Sequence, residues 1–317
     1  MSYLYSAMGW ILKQLFNLIN SAGIGYYAVA IAVFTILINA IFLPLNIKQQ
    51  RTTAKQTAIR PKMDEIKKKC GDDRQKYSLE VQELNQREGV SMMSGCLPML
   101  IRLPFLWGVW RAISGPLSYI LNWSSDLINS AKGILGGLEG ISVKAGYEEI
   151  GIIDNFGQIA QKANEQGLTE LANQSAAVES FKSSFNLFGI DMTRVPTFTL
   201  NFADKGVDFT LWIIPFLSFA TSMLSSIISM KMQKKINPEA GQMGGMMLLM
   251  PLFSLYISFL VPGAVGFYWM CSNLVNMIIT VILNKTMNPY RLIAKDEAKF
   301  ISERKKKEAA IKAPIAE

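Results

Sequence analysis

The sequence predicts an all-α membrane protein with five transmembrane helices, an N-terminal interfacial helix and a cytoplasmic helical hairpin. Three observations predict it. Half of the 317 residues are apolar, which places the chain among multi-spanning membrane proteins rather than soluble domains. Five runs approach the ~20 residues a spanning helix needs. Lys and Arg also concentrate in alternate connecting segments, the asymmetry that orients membrane proteins.

Residues 1–22 place Leu4, Met8, Ile11, Leu15 and Ile19 at helical spacing, with Lys13, Gln14, Asn17 and Asn20 elsewhere around the wheel. An amphipathic helix lying on the outer membrane surface fits this pattern. A signal peptide fits it less well, because the only early Lys follows several apolar residues. Residues 23–46 form the first predicted span, whose apolar run is Tyr26 to Asn46.

Residues 47–92 read as a charged helix, a turn at Cys70–Asp73 and a returning helix. Cys70 and Gly71 end the first arm, and Asp72 or Asp73 caps the second. Tyr77, Val81 and Leu84 make one apolar stripe, against a thinner one from Ala54, Ala58, Met63 and Ile66. The hairpin serves as a docking element with Lys67, Lys68 and Lys69, or as a solvated structural linker.

The second span, 93–115, carries Arg102 inside the otherwise apolar GCLPMLIRLPFLWGVW. An unpaired cation in hydrocarbon costs roughly 2.5 to 3.5 kcal/mol on insertion scales, so it persists where a wet cavity or a partner receives it, or where its stem snorkels to the headgroups. At 1.5 Å per residue Arg102 sits about 13 Å from the cytosolic end of its helix and Asn39 about 10 Å from the same boundary. The two are thus candidates to face one another. Arg111, near the outer interface, reads as a snorkelling residue.

Residues 116–208 form a long extracellular segment, a small appended domain or a partly flexible stretch, with a helix near Asn155 to Ala172. The third span is 209–230, followed by a loop at 231–242, the fourth span at 243–261, the fifth at 262–284 and a basic tail at 285–317. Thr35, Ser218, Thr221, Ser222 and Asn273 are further polar groups inside these spans, able to keep a cavity wet or simply to pack helices together.

Charge fixes the orientation. Asn46 to Met92 holds 11 basic and 7 acidic residues, whereas Pro116 to Asp208 holds 6 basic and 11 acidic. The N-terminus is therefore expected outside and the C-terminus in the cytoplasm. The net charge of +8 follows from the same rule and from anionic lipid, with no need of DNA. Three cysteines, set in different compartments and depths, give no disulfide framework.

The chain has no histidine, which removes histidine proton relays, Ser-His or Cys-His pairs and most zinc sites. It has no phosphate loop of the GxxxxGK[ST] form and no GxSxG elbow. None of the five spans contains Asp or Glu, so a carboxylate-coupled transport site is unsupported. Covalent catalysis, a catalytic residue set, a metal and a cofactor are not expected.

TILINAIFLPLNIKQQR, GCLPMLIRLPFLWGVWRAI and PGAVGFYWMCSN, in this order, resemble the successive signatures of YidC/Oxa-type membrane protein insertases, the single-membrane bacterial type. The resemblance runs through all five spans, the hairpin and the tail. It implies a five-helix bundle in a bacterial plasma membrane, with a hydrophilic groove open to cytosol and lipid. Polar segments of nascent membrane proteins enter that groove while their apolar helices slide into lipid, without nucleotide. By the same resemblance Tyr268 and Trp269 line the groove beside Asn273, although aromatic anchoring at an interface is their ordinary role. Arg304, Lys305, Lys306 and Lys307 resemble the family's ribosome-contacting tails, and a Sec-type translocon is a further implied partner.

Two departures stand out. The family's groove arginine lies in the first span, where this chain has Asn39, and the second-span motif carries a neutral polar residue where this chain has Arg102. The expectation is that the positive charge has been exchanged between facing helices. The outer segment before the third span is also longer than in single-membrane bacterial members. A lipid scramblase or channel, and an accessory structural subunit of a translocon, are the competing functions.

Overall fold

The computed structural model describes residues 2–88, 97–198, 208–236, 244–287 and 289–312, and it is mostly helical. Cys96, the first residues of the second predicted span (93–96) and residues 237–242 of the loop after the third lie outside the described residues.

Two compact units divide the chain. The first is Met1–Ile41, Ile101–Met230 and Gln242–Met277. In it α1 (Ser2–Ser21) packs on α2 (Tyr27–Ile41). Met8, Leu12, Phe16 and Ile19 of α1 are buried, while Tyr3, Trp10 and Leu18 are exposed. Of the stripe read from the spacing, Met8 and Ile19 are thus covered by protein, while Leu4, Ile11 and Leu15 are half-buried. Two glycines let other segments approach α1 closely: a Cβ on Gly9 would overlap the Tyr119 ring at 2.3 Å, and one on Gly108 would meet Met8 at 3.3 Å.

Helix α2 has two distinct faces. Ile31, Phe34, Thr35, Ile38 and Asn39 are buried, whereas Val33, Ile36 and Leu37 are exposed. The helix stops at Ile41, short of the predicted 46, because Pro44 stands at the start of the next helix. Its ring would clash with the carbonyl four residues back in a continuous helix.

The second predicted span begins in the described residues as α6 (Leu97–Ser114), with Pro104 inside it. Residues 116–198 then form a packed assembly. It comprises α7 (Pro116–Tyr119), α8 (Ser125–Gly136), α9 (Glu148–Asp154), α10 (Phe156–Glu165), α11 (Thr169–Ala172) and α12 (Ser175–Ser183). A two-residue hairpin, β1 (Asn186–Leu187) and β2 (Ile190–Asp191), closes it, pairing antiparallel with Asn186 opposite Asp191. The helix expected from Asn155 to Ala172 breaks into α10 and α11 at Gly167, whose φ of +72° suits a helix end. Ile152, Ile153, Ile159 and Val178 are fully buried there.

This assembly is joined to the helices beneath it. Phe181 packs edge-on and Phe185 at a tilt against Tyr27 of α2, with ring centroids 5.8 and 4.5 Å away, and Phe16 of α1 completes the cluster. The Tyr27 backbone N–H donates to the Ser184 carbonyl at 2.8 Å. A 3-10 turn at Phe209–Trp212 leads into α13 (Ile213–Ile236), and α14 (Gly244–Ser258) and α15 (Gly263–Thr286) follow. The N–H groups of Gly263 and Ala264, at the start of α15, donate to the carbonyls of Arg194 and Met192, both at 2.9 Å. One strap of the outer segment thus satisfies donors that helix starts leave orphaned, on α2 and α15 alike.

Among the described residues two helices are long and apolar enough to cross a membrane, Phe209–Lys231 and Gly263–Lys295. The count becomes three if the bent pair Tyr27–Ile41 and Leu43–Lys55 forms one span.

The second unit is Phe42–Leu100, Lys231–Gly241 and Ile278–Glu317. It contains α3 (Leu43–Ala58), α4 (Arg60–Cys70), α5 (Arg74–Arg87) and α16 (Pro289–Lys312), with α3 against α16 and α4 against α5. The charged arm expected as one helix is two, because Pro61 at the start of α4 forces a break at Ile59. Asp73 is the cap of α5, its carboxylate accepting from the N–H groups of Gln75 and Lys76 at 3.1 and 3.0 Å. Val81 is buried, with Tyr77 and Leu84 half-buried beside it. Gln50 of α3 donates to Asn284 Oδ1 at 3.1 Å and to the Met287 carbonyl at 3.3 Å.

Candidate functional site

The polar groups of the first unit's apolar helices fall into three sets. The first lies on α2, where Thr35 Oγ1 donates to the Ile31 carbonyl at 2.7 Å and Asn39 Nδ2 donates to the Thr35 carbonyl at 2.9 Å. Both side chains are buried on the protein-facing side. Each uses the i−4 carbonyl of its own helix, a partner that comes at no cost in tertiary order.

The second set joins α13 to α14. Ser218, fully buried, has its Oγ 3.2 Å from Ser254 Oγ. Thr221 donates to the carbonyls of Leu217 and Ser218. The hydroxyl pair lets two apolar helices approach closely without leaving a polar atom bare.

The third set holds the charge. Arg102 of α6 is half-buried and interacts electrostatically with Tyr268 of α15, which is itself buried. Ser272 lies one turn further along α15. Asn276, one turn further on, donates to the Ser272 carbonyl at 2.8 Å and to its Oγ at 3.3 Å. Ser272 and Asn276 thus continue a polar stripe along α15 below Tyr268. Pro104 sharpens the setting, because a proline inside a helix withdraws the donor from the carbonyl one turn earlier.

Of the residues singled out in the sequence, Arg102 and Tyr268 lie within electrostatic range of one another on two helices, and Thr35 and Asn39 share a buried face. Ser222, Trp269 and Asn273 are half-buried and enter none of these pairings. Ser254, Ser272 and Asn276 were missed. The last two repeat every fourth residue from Tyr268, a spacing that continues to Thr280 and Asn284 and is legible as one polar stripe on a helix. Lys67, Lys68 and Lys69 are exposed at the end of α4. Arg304, Lys305 and Lys306 are exposed on α16, and Arg304 pairs with Glu308 at 2.8 Å; Lys307 lies on the same helix. Among the described residues no three His, Cys, Asp or Glu side chains gather as a metal site.

The sequence profile of the 60Kd inner membrane protein family matches residues 19–290. The chain belongs to this family, the YidC/Oxa group. A Listeria innocua protein named "Membrane protein insertase YidC 2" is 24% identical over 97% of this chain and 80% of its own length. A Fusobacterium nucleatum protein named "Membrane protein insertase YidC" is 33% identical over 36% of the chain and 55% of its own length. A Dinoroseobacter shibae protein of that name is 36% identical over 33% of the chain, which spans only 18% of that relative. The YidC/Oxa match covers α2 through α15, the helices that carry all three polar sets.

Proposed function

We propose that this YidC/Oxa-group chain is a membrane protein insertase of the bacterial plasma membrane, acting without covalent catalysis or cofactor. In this reading α2, α6, α13, α14 and α15 are five spans, with the N-terminus outside and the C-terminus in the cytoplasm. The shared strap over the N-terminal ends of α2 and α15 supports placing those two ends on one side. Helix α1 lies along the outer interface with Tyr3, Trp10 and Leu18 toward lipid.

The observation that carries the reading is Arg102, held half-buried in an apolar helix. A fixed positive charge at that depth attracts acidic or polar segments of a nascent membrane protein. It shortens their path through hydrocarbon while the adjoining apolar helix partitions into lipid. Asn39, Thr35, Ser218 and Ser222 keep the surroundings polar, and Tyr268, Trp269 and Asn273 line the same groove. Arg102 takes over the charge that the family places at the position of Asn39. The α4–α5 pair, with Lys67, Lys68 and Lys69, docks incoming chains, and the tail around Arg304 to Lys307 meets the ribosome or a Sec-type channel.

The test is insertion of a single-span substrate with an acidic outer segment into liposomes holding the purified chain, wild type against Arg102→Ala. Wild-type insertion with clear loss in the variant is expected. Insertion unchanged by Arg102→Ala rejects the charge exchange. Lipid flipping without any insertion by wild type moves the function to a scramblase.

A further inference from the structure

We infer that the β1–β2 tip, led by Phe188, is an anchor that inserts into the outer leaflet of the membrane. The turn between the strands consists of Phe188 and Gly189, with φ of +54° and +86°. An aromatic residue in the left-handed region is uncommon, since Gly or Asn meets that backbone without steric cost. The side chain placed there is 89% exposed, so packing within the protein does not account for it.

What lies beside Phe188 identifies the occupant. Its ring faces Tyr26, with centroids 6.4 Å apart, and Ile24 in the same connecting segment is also exposed. Tyr26 directly precedes α2, and at 100° per residue it stands above Val33 and Leu37 on one stripe of that helix, with Ile36 next to them. All three are exposed on a helix of a membrane-protein family, opposite the buried face with Thr35 and Asn39. The tip therefore continues a lipid-facing surface upward at the point where α2 emerges, where aromatic side chains partition favourably among headgroups. The partner is phospholipid at the headgroup and upper acyl level. Phe188 is a wedge that sets the height of the outer segment over the bilayer.

Photo-crosslinking tests this on the full chain in vesicles of phosphatidylethanolamine and phosphatidylglycerol. Benzoyl-phenylalanine is placed at Phe188, a close analogue at an exposed position that leaves the fold intact. A second chain carries it at Glu165, exposed at the end of α10, a helix packed on other outer helices. Mass spectrometry is expected to find phospholipid adducts at position 188 in several-fold excess over position 165. Equal yields at the two positions, or no lipid adduct at 188, overturn the anchor, as does a predominantly protein adduct. The readout involves no substrate insertion, so it stands or falls apart from the groove.

Discussion

Within one unit, the assembly of residues 116–198 and helix α2 satisfy buried polar groups in different ways. Glu149, 5% exposed, receives the Ser118 N–H at 2.8 Å and the Ser118 hydroxyl at 2.6 Å, from 31 residues away. Asp154 is faced by Lys182 at 3.3 Å and Arg194 at 3.9 Å. Each bond fixes one element against another. On α2, by contrast, Thr35 and Asn39 are satisfied within their own helix. A bond to an i−4 carbonyl is worth about 1 kcal/mol net and positions no second element. In the proposed reading it is exchanged for a bond to a passing polar segment without loosening the fold. Bonds between elements hold shape around Glu149 and Asp154, as does the Ser218–Ser254 pair between α13 and α14; the polar groups of α2 are satisfied within one helix, which in that reading leaves them available.

The largest expected effect tests that availability. Replacing Arg102 by Ala is expected to slow insertion of an acidic substrate about a hundredfold, or ~2.7 kcal/mol at 1.36 per factor of ten. Adding Asn39→Arg to Arg102→Ala returns the charge to a helix at similar depth and is expected to restore most of the rate. Rates from liposome insertion decide it. If the double variant stays as slow as the single one, Arg102 holds α6 to α15 through Tyr268 and belongs with the shape-holding groups above.

Next is Glu149→Ala, which strands the Ser118 donors in a buried place. The cost is about 1–3 kcal/mol, read as faster hydrogen exchange across α7 and α9, with insertion rates close to wild type. A loss of insertion comparable to that of Arg102→Ala would erase the distinction between the two regions.

The same contrast explains what was legible in the sequence. Runs of apolar residues announce a membrane protein because a spanning helix needs about 20 of them, a length that among the described residues two helices keep, or three with the bent pair; Arg102 stood out because a charge in such a run is costly. Asp73 was readable as a cap because capping is local. The outer segment was opaque because its elements are short and its order comes from distant pairs, such as Lys144 donating to the Leu260 carbonyl 116 residues on. The pairing of Ser218 with Ser254 is hidden for the same reason. The stripe of Tyr268, Ser272 and Asn276 needed only the helical period. The face of α1 that protein covers depends on Gly9 and Gly108, whose meaning lies in the partners that approach them.

A smaller effect probes the seam between the regions. Gly146 has φ +90°, and a Cβ there would stand 2.8 Å from the Trp110 ring of α6. Trp110 Nε1 donates to the neighbouring Tyr147 hydroxyl at 3.0 Å, and burial pushes that phenol above its ordinary pKa. Gly146→Ala is expected to cost roughly 1 kcal/mol for a left-handed backbone with a β-carbon. The check is increased protease cleavage in the stretch between α8 and α9, whereas Gly136→Ala, which meets open space, leaves cleavage unchanged.

The smallest effect lies in the second unit, and it separates burial from mere pairing. Lys62 Nζ is 2.5 Å from Glu88 Oε1, linking α4 to the end of α5, yet the two side chains are 57% and 36% exposed. Water and salt screen such a pair, so its worth is about 0–1 kcal/mol despite the short distance. Lys62→Ala is expected to shift the unfolding of the α4–α5 pair by less than about 0.5 kcal/mol, and raising the salt concentration should remove even that difference from wild type. Chemical denaturation followed by a label on α5, at low and high salt, measures both. A shift as large as that of Glu149→Ala, insensitive to salt, would mean that the Lys62–Glu88 contact is desolvated in the working protein, as it would be with an incoming chain docked across these helices.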